Sequence, residues 1–164
     1  MIPAPKGRRK RNTNMPGTYS RILLHLVFST KKRAHLIKPE LQDRLYAYMG
    51  GIIRSEGGIL YQIGGTSNHM HLLIRWCTDE SVAALLRDLK SRSSGWVHQT
   101  FPMHQGFAWQ EGYGVFSVSE SQADIVNQYI TGQLDHHHAR TFEDEFIQLL
   151  KAHNIEYDPR YLWD

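Results

Sequence analysis

The chain has 164 residues, is 41% hydrophobic, and carries a formal net charge of +3 and a single cysteine, Cys77. That length and apolar content suit one domain with its own core, and one cysteine excludes an internal disulfide framework or a cysteine-built zinc cluster. No apolar run approaches the roughly 18–20 residues that cross a bilayer, and the first seventeen residues lack a signal-type apolar stretch, so a cytoplasmic protein without a membrane partner is expected. The charge is unevenly spread. Residues 1–17 contain Lys6, Arg8, Arg9, Lys10 and Arg11 and no acid; residues 18–100 hold eleven Lys and Arg against six Asp and Glu; residues 101–164 hold three against ten. A basic first part joined to an acidic end points to a polyanion-binding face on one side of the molecule. The Pro, Gly and Asn neighbours of the basic run cannot build a core, so residues 1–17 read as a flexible arm and 18–164 as the folded domain.

Residues 19–29 are apolar and rich in strand formers and predict a first, central strand ended by Thr30-Lys31-Lys32-Arg33. Pro39 and Glu40 open a helix to about residue 56, with Leu41, Leu45, Tyr48, Met49, Ile52 and Ile53 at helical spacing and Gly57-Gly58 closing it. Short strands at 59–63 and 69–76, separated by Gly64-Gly65-Thr66-Ser67-Asn68, should form a hairpin. Thr78 or Asp79 can cap a second helix with Val82, Leu85, Leu86 and Leu89 inward, running to about Ser91 or a little beyond. A fourth strand is expected over 107–118, bent at Gly112 and Gly114. The resulting βαββαβ order predicts an α+β, ferredoxin-like antiparallel sheet with two helices on one face. Beyond it, Ser119 and Gln122 suggest a capping box for a helix running through Tyr129 and Gln133, and Thr141 with Asp144 another helix to about His153.

Four residues carry candidate chemistry. On a strand, His69 and His71 point to one face about 6–7 Å apart and can converge on one cation, while Met70 faces the core. On a helix, Tyr129 and Gln133 share a face and can be aimed together. Two imidazoles and a carboxamide, all neutral, would leave a divalent cation almost uncompensated and so attractive to a phosphate. Tyrosine is a poor nucleophile at neutral pH, since ionisation costs about 4 kcal/mol at pH 7. A phosphotyrosine, however, keeps the energy of the broken phosphodiester, so a strand can be cut and joined elsewhere without ATP.

The ordered set Gly64-Gly65-Thr66, His69-Met70-His71, Leu89-Lys90 with Ser93-Ser94, Phe107 through Ser119, and Tyr129-x-x-x-Gln133 with His136-His137 resembles the IS200/IS605-like tyrosine transposases, a branch of the HUH nucleases. The resemblance spans about residues 19–160. It implies metal ligands at His69, His71 and Gln133, a nucleophile at Tyr129 that forms a 5′-phosphotyrosine with single-stranded DNA, and Mg²⁺ or Mn²⁺ as cofactor. It further implies DNA hairpins as partners, nucleoid association, and a homodimer whose active sites are shared between subunits. The residue before the first histidine, commonly acidic in the family, is Asn68 here. DNA phosphates would be met by Lys31, Lys32, Arg33, Arg87, Lys90 and Arg92, with Trp109 and Tyr113 as candidate stacking residues.

Each signal also has a plainer reading. A His-x-His pair on a strand is often structural, a helical tyrosine is often a half-buried packing residue, and the run His136-His137-His138 reads as a helix C-terminus rather than a metal cluster, since consecutive helical residues point apart. The competing function is a noncatalytic nucleic-acid-binding module on the same sheet, which would have no need of His69, His71, Tyr129 and Gln133 together.

Overall fold

The computed structural model describes residue 17, residues 19–136 and residues 140–163. Apart from residue 17, the expected basic arm lies outside the described residues, as do His137 and His138.

Along β1 (Ile22–Ser29) successive side chains alternate between two faces, and both faces are buried. Leu24, Leu26 and Phe28 join one core, whereas His25, Val27 and Ser29 line the other face. With β2 (Ile59–Gly65), β3 (His69–Trp76) and β4 (Gly114–Val118), β1 forms an antiparallel sheet of order β2-β3-β1-β4. Helices α1 (Pro39–Ser55) and α2 (Val82–Thr100) cover the first face. Leu41, Leu45, Met49, Ile52 and Ile53 of α1 and Leu85, Leu86, Leu89 and Val97 of α2 pack there with Met70, Leu72 and Ile74 of β3. Each such fully buried aliphatic side chain contributes about 1.5–3 kcal/mol. The ferredoxin-like α+β arrangement expected from the sequence is therefore present.

A third layer lies on the opposite face of the sheet. It comprises α3 (Ala123–Thr131), α4 (Gln133–His136) and α5 (Phe142–Ala152). Phe142, Phe146 and Leu150 of α5 form a second apolar cluster with Val27 and Phe116, joined by Tyr157, Leu162 and Trp163 from the segment after α5.

Several boundaries differ from the sequence-based expectations, each for a tertiary reason. The second helix is capped by Ser81, whose hydroxyl accepts from the Ala84 N–H, rather than by Thr78 or Asp79. It also continues past Ser91 to Thr100, because buried Ser93 returns its hydroxyl to the Leu89 carbonyl and accepts from the Trp109 indole, while Val97 enters the core. The fourth strand is confined to Gly114–Val118. Upstream of it, Phe107 and Trp109 are buried, and the Lys90 ammonium donates to the carbonyls of Gln110, Glu111 and Gly112, which fixes this segment as a loop. The capping box at Ser119 is not formed: residues 120–122 make a 3₁₀ turn, and the Ser119 hydroxyl pairs with Ser121. Thr141 does cap α5, accepting from the Asp144 N–H. Tyr129 and Gln133 fall on two consecutive helices separated by Gly132, a residue with low helix propensity.

The third layer meets the sheet most closely at Gly64. A Cβ there would stand 2.5 Å from the Ile130 carbonyl oxygen on α3. The contact is to backbone, so Gly64→Ala must push α3, and with it Tyr129, away from β2. We expect a loss of about 2–3 kcal/mol in chemical denaturation together with a loss of activity. Wild-type stability in this variant would show that the α3–β2 approach is unimportant.

Candidate active site

The alternation of β3 does what the His-x-His spacing predicts. His69 and His71 pair in register with Ser29 and Val27 of β1 and lie on the face beneath the third layer, while Met70 between them enters the first core. Both histidines are fully buried, and their ring centroids are 5.2 Å apart. The third layer brings the other two expected residues to the same point. Gln133 Oε1 is 3.1 Å from His69 Nε2, and the Tyr129 ring lies 5.8 Å from that of His71. All four residues thus converge within one chain.

A fifth residue, Glu145 on α5, stands at the centre. Its carboxylate accepts from the Tyr129 hydroxyl and, at 2.9 Å, from Gln133 Nε2. It also lies 3.5 Å from His69 Nε2 and 3.4 Å from His71 Nε2. This corrects the sequence-based picture of a site lined only by neutral groups, because a carboxylate supplies a negative charge there. Burial by itself would raise the Glu145 carboxyl, but the adjacent His71 imidazole, with the hydrogen bonds from Tyr129 and Gln133, outweighs it and holds the group well below the usual carboxylate range. The Tyr129 phenol is pushed up, first by burial and then by its bond to Glu145.

Each imidazole is oriented from behind. His69 Nδ1 lies 2.8 Å from Asn68 Oδ1 and 3.0 Å from the Thr66 hydroxyl. Asn68, the departure from an acidic residue noted in the sequence, therefore still presents an oxygen to His69, as an amide rather than a carboxylate. His71 Nδ1 meets His25 Nε2 at 2.8 Å. Burial, with a smaller effect of His71, lowers His25 to about 3, so its ring is neutral. Neither Glu145 nor His25 was singled out by the sequence, for no local motif marks either residue.

The donor set fits a divalent cation. His71 Nε2 is buried without a hydrogen-bond partner and faces the same point as His69 Nε2 and Glu145, whose ligand atoms all lie within 4.8 Å of one another. Two imidazoles with carboxylate and amide oxygens suit Mn²⁺ or Zn²⁺, and Mg²⁺ less well.

The basic residues named from the sequence are not members of this cluster. Lys31 and Lys32 are exposed in the 3₁₀ turn after β1 (Lys31–Arg33). Arg33 in the same turn pairs with Glu143 at 2.6 Å and lies over the Trp163 ring. Arg87 is exposed beside Asp88, and Arg92 pairs with Glu56 at 3.2 Å. Lys90 is held by its three loop carbonyls. Trp109 is only 8% exposed and its indole N–H is bonded to Ser93, which places it in the core rather than on a stacking surface. Tyr113 is 43% exposed. Among the described residues, no helix is long and apolar enough to cross a membrane.

The sheet order, with paired histidines and a tyrosine-bearing helix meeting on one face, is the arrangement expected from the resemblance to the tyrosine transposases. The profile of the family described as "Transposase IS200 like" matches residues 18–133, and the chain belongs to that family, a class of DNA-processing enzymes. Among curated relatives it is similar to the ISDra2 transposase TnpA of Deinococcus radiodurans, 23% identical over 116 residues that cover 68% of this chain and 83% of that protein. Among solved structures it resembles a candidate transposase from Deinococcus radiodurans R1, with a TM-score of 0.59 and 25% identity over 73% of this chain and 96% of the other. It also shares its fold with a REP-associated tyrosine transposase solved on a REP hairpin, with a TM-score of 0.54 and 12% identity over 76% of this chain and 74% of that one.

Proposed function

We propose that the chain cleaves and rejoins single-stranded DNA by transesterification, with Tyr129 as nucleophile. The phenolic oxygen attacks a phosphodiester, the bond from phosphorus to the 3′ oxygen breaks, and the strand is held as a 5′-phosphotyrosine until another 3′-hydroxyl reverses the step. The observation that carries this reading is the convergence of Tyr129, His69, His71 and Gln133, from β3, α3 and α4, on one buried point. His69, His71 and Gln133 would hold Mg²⁺ or Mn²⁺, with Glu145 as a further oxygen ligand. When bound, the cation supplies Lewis-acid polarisation of the scissile phosphate. Glu145 Oε1, which accepts the Tyr129 hydroxyl, is placed to take the phenolic proton. His69 and His71 are buried beneath the third layer, with Phe142 stacked on His69 at 4.6 Å, so a phosphodiester reaches the ligand atoms only after local opening.

The REP-associated neighbour was solved with a hairpin, which supports hairpin DNA at element ends as the substrate. Phosphate contacts fall first to Lys31, Lys32 and Arg87, whose charges face solvent. Arg33, Lys90 and Arg92 follow, after exchanging their present partners for phosphates. A homodimer acting on nucleoid DNA in the cytoplasm completes the reading. Its active sites would be shared between the subunits, the tyrosine helix of one completing the metal site of the other. A noncatalytic binding module remains the weaker reading, since it gives no role to the buried convergence.

Incubating the purified chain with hairpin-bearing single-stranded DNA and Mn²⁺ should give a protein–DNA adduct that survives SDS and is prevented by a chelator. Hairpin binding without any adduct or cleavage, with either Mn²⁺ or Mg²⁺, would favour the noncatalytic module instead.

A further inference from the structure

A neutral imidazole carries one N–H, so a histidine can offer Nε2 to a cation only if its proton sits on Nδ1. That proton needs an acceptor when the ring is buried. For His69 the acceptors are oxygens, from Asn68 and Thr66. For His71 the neighbour is a second imidazole: His25 Nε2 lies 2.8 Å from His71 Nδ1, with the two rings stacked at 5.1 Å and 29°. His25 is 4% exposed and His71 fully buried, so water is poorly placed to substitute.

We propose that His25 is a positioning residue for the metal site, its bare Nε2 accepting the Nδ1 proton of His71 and so holding His71 Nε2 open toward the cation. The inference rests on the metal-site reading above. His25 then carries its own proton on Nδ1. The sheet makes the contact possible, because His71 pairs in register with Val27 and His25 stands two residues along β1 on the same face. The same ring packs edge-on against Tyr129 at 6.2 Å and at a tilt against Phe116 at 6.0 Å, so ligand and nucleophile share one buried support. Metal-bound histidines usually hand this proton to a carboxylate, a carbonyl or water. A neutral imidazole withdraws less of it, leaving His71 a weaker electron donor than a carboxylate-backed ligand would be.

The test uses the full chain and Mn²⁺ alone, with free Mn²⁺ counted by electron paramagnetic resonance. His25→Phe keeps the ring volume and removes the acceptor, and should weaken Mn²⁺ binding about ten- to a hundredfold. His25→Gln can place an amide oxygen where Nε2 stood and should recover most of that loss. Phe and wild type binding alike, or Gln binding as weakly as Phe, overturns the proposal. A second measurement needs no variant. In the wild type loaded with Zn²⁺, long-range ¹H–¹⁵N spectra should show His71 protonated on Nδ1, and a proton on Nε2 overturns the assignment. His71→Ala separates the two levels of inference. If it binds Mn²⁺ as the wild type does, the metal site itself is misplaced; if it loses the ion while His25→Phe does not, only the role of His25 fails.

Discussion

Replacing Tyr129 by Phe should abolish the SDS-resistant adduct and lower strand cleavage by about 10⁴-fold or more, a loss typical of removing a nucleophile outright. The substitution is conservative for the fold. The ring keeps its edge contacts with His25 and His71, and Glu145 retains the Gln133 amide as a donor, so the cost in stability should be about 1 kcal/mol. Burial and Glu145 push the phenol upward, which keeps the hydroxyl protonated and inert until positive charge enters the site. An adduct that persists in Tyr129→Phe would place the nucleophile on another side chain.

His69→Ala should remove both Mn²⁺ binding and cleavage while hairpin affinity stays within about threefold. His69 is fully buried and offers a candidate ligand atom, whereas solvent-exposed Lys31, Lys32 and Arg87 lie outside the cluster it forms with Gln133 and Glu145. Phosphate neutralisation dominates DNA affinity, so deleting a buried ligand should leave that term nearly unchanged. The variant also loses the stacking of Phe142 on the imidazole, so a thermal melt must accompany the assay. Hairpin binding that falls in parallel with cleavage, in a folded variant, would mean that the metal site and the DNA-binding surface are one.

Much of the framework was readable from short-range pattern. The apolar, strand-forming run of β1, the helical spacing of Leu41 to Ile53, and the turn formers Thr66, Ser67 and Asn68 between β2 and β3 each depend on neighbours a few residues away. They led to the correct element order. Boundaries failed where distant packing overrides local preference. The second helix is expected from local pattern to end at about Ser91 or a little beyond, yet Ser93 and Val97 are held by the core, and the strand-like run from Phe107 is turned into a loop by the Lys90 ammonium.

The candidate site divides along the same line. His69 and His71 share a face because strands alternate, and Tyr129 and Gln133 are neighbours because helical positions four apart are neighbours, a relation that survives the break at Gly132. Both pairs follow from residue spacing, and their joint presence indicated a cation and a phenol meeting a phosphodiester. Sequence could not show that Glu145 would sit between the pairs or that His25 would back His71. Those relations depend on a sheet of order β2-β3-β1-β4 setting His25 beside a residue 46 positions later, and on α5 folding back so that Glu145 meets Tyr129, 16 positions earlier. No periodicity encodes such contacts; burial of Phe142, Phe146 and Leu150 against Val27 and Phe116 creates them.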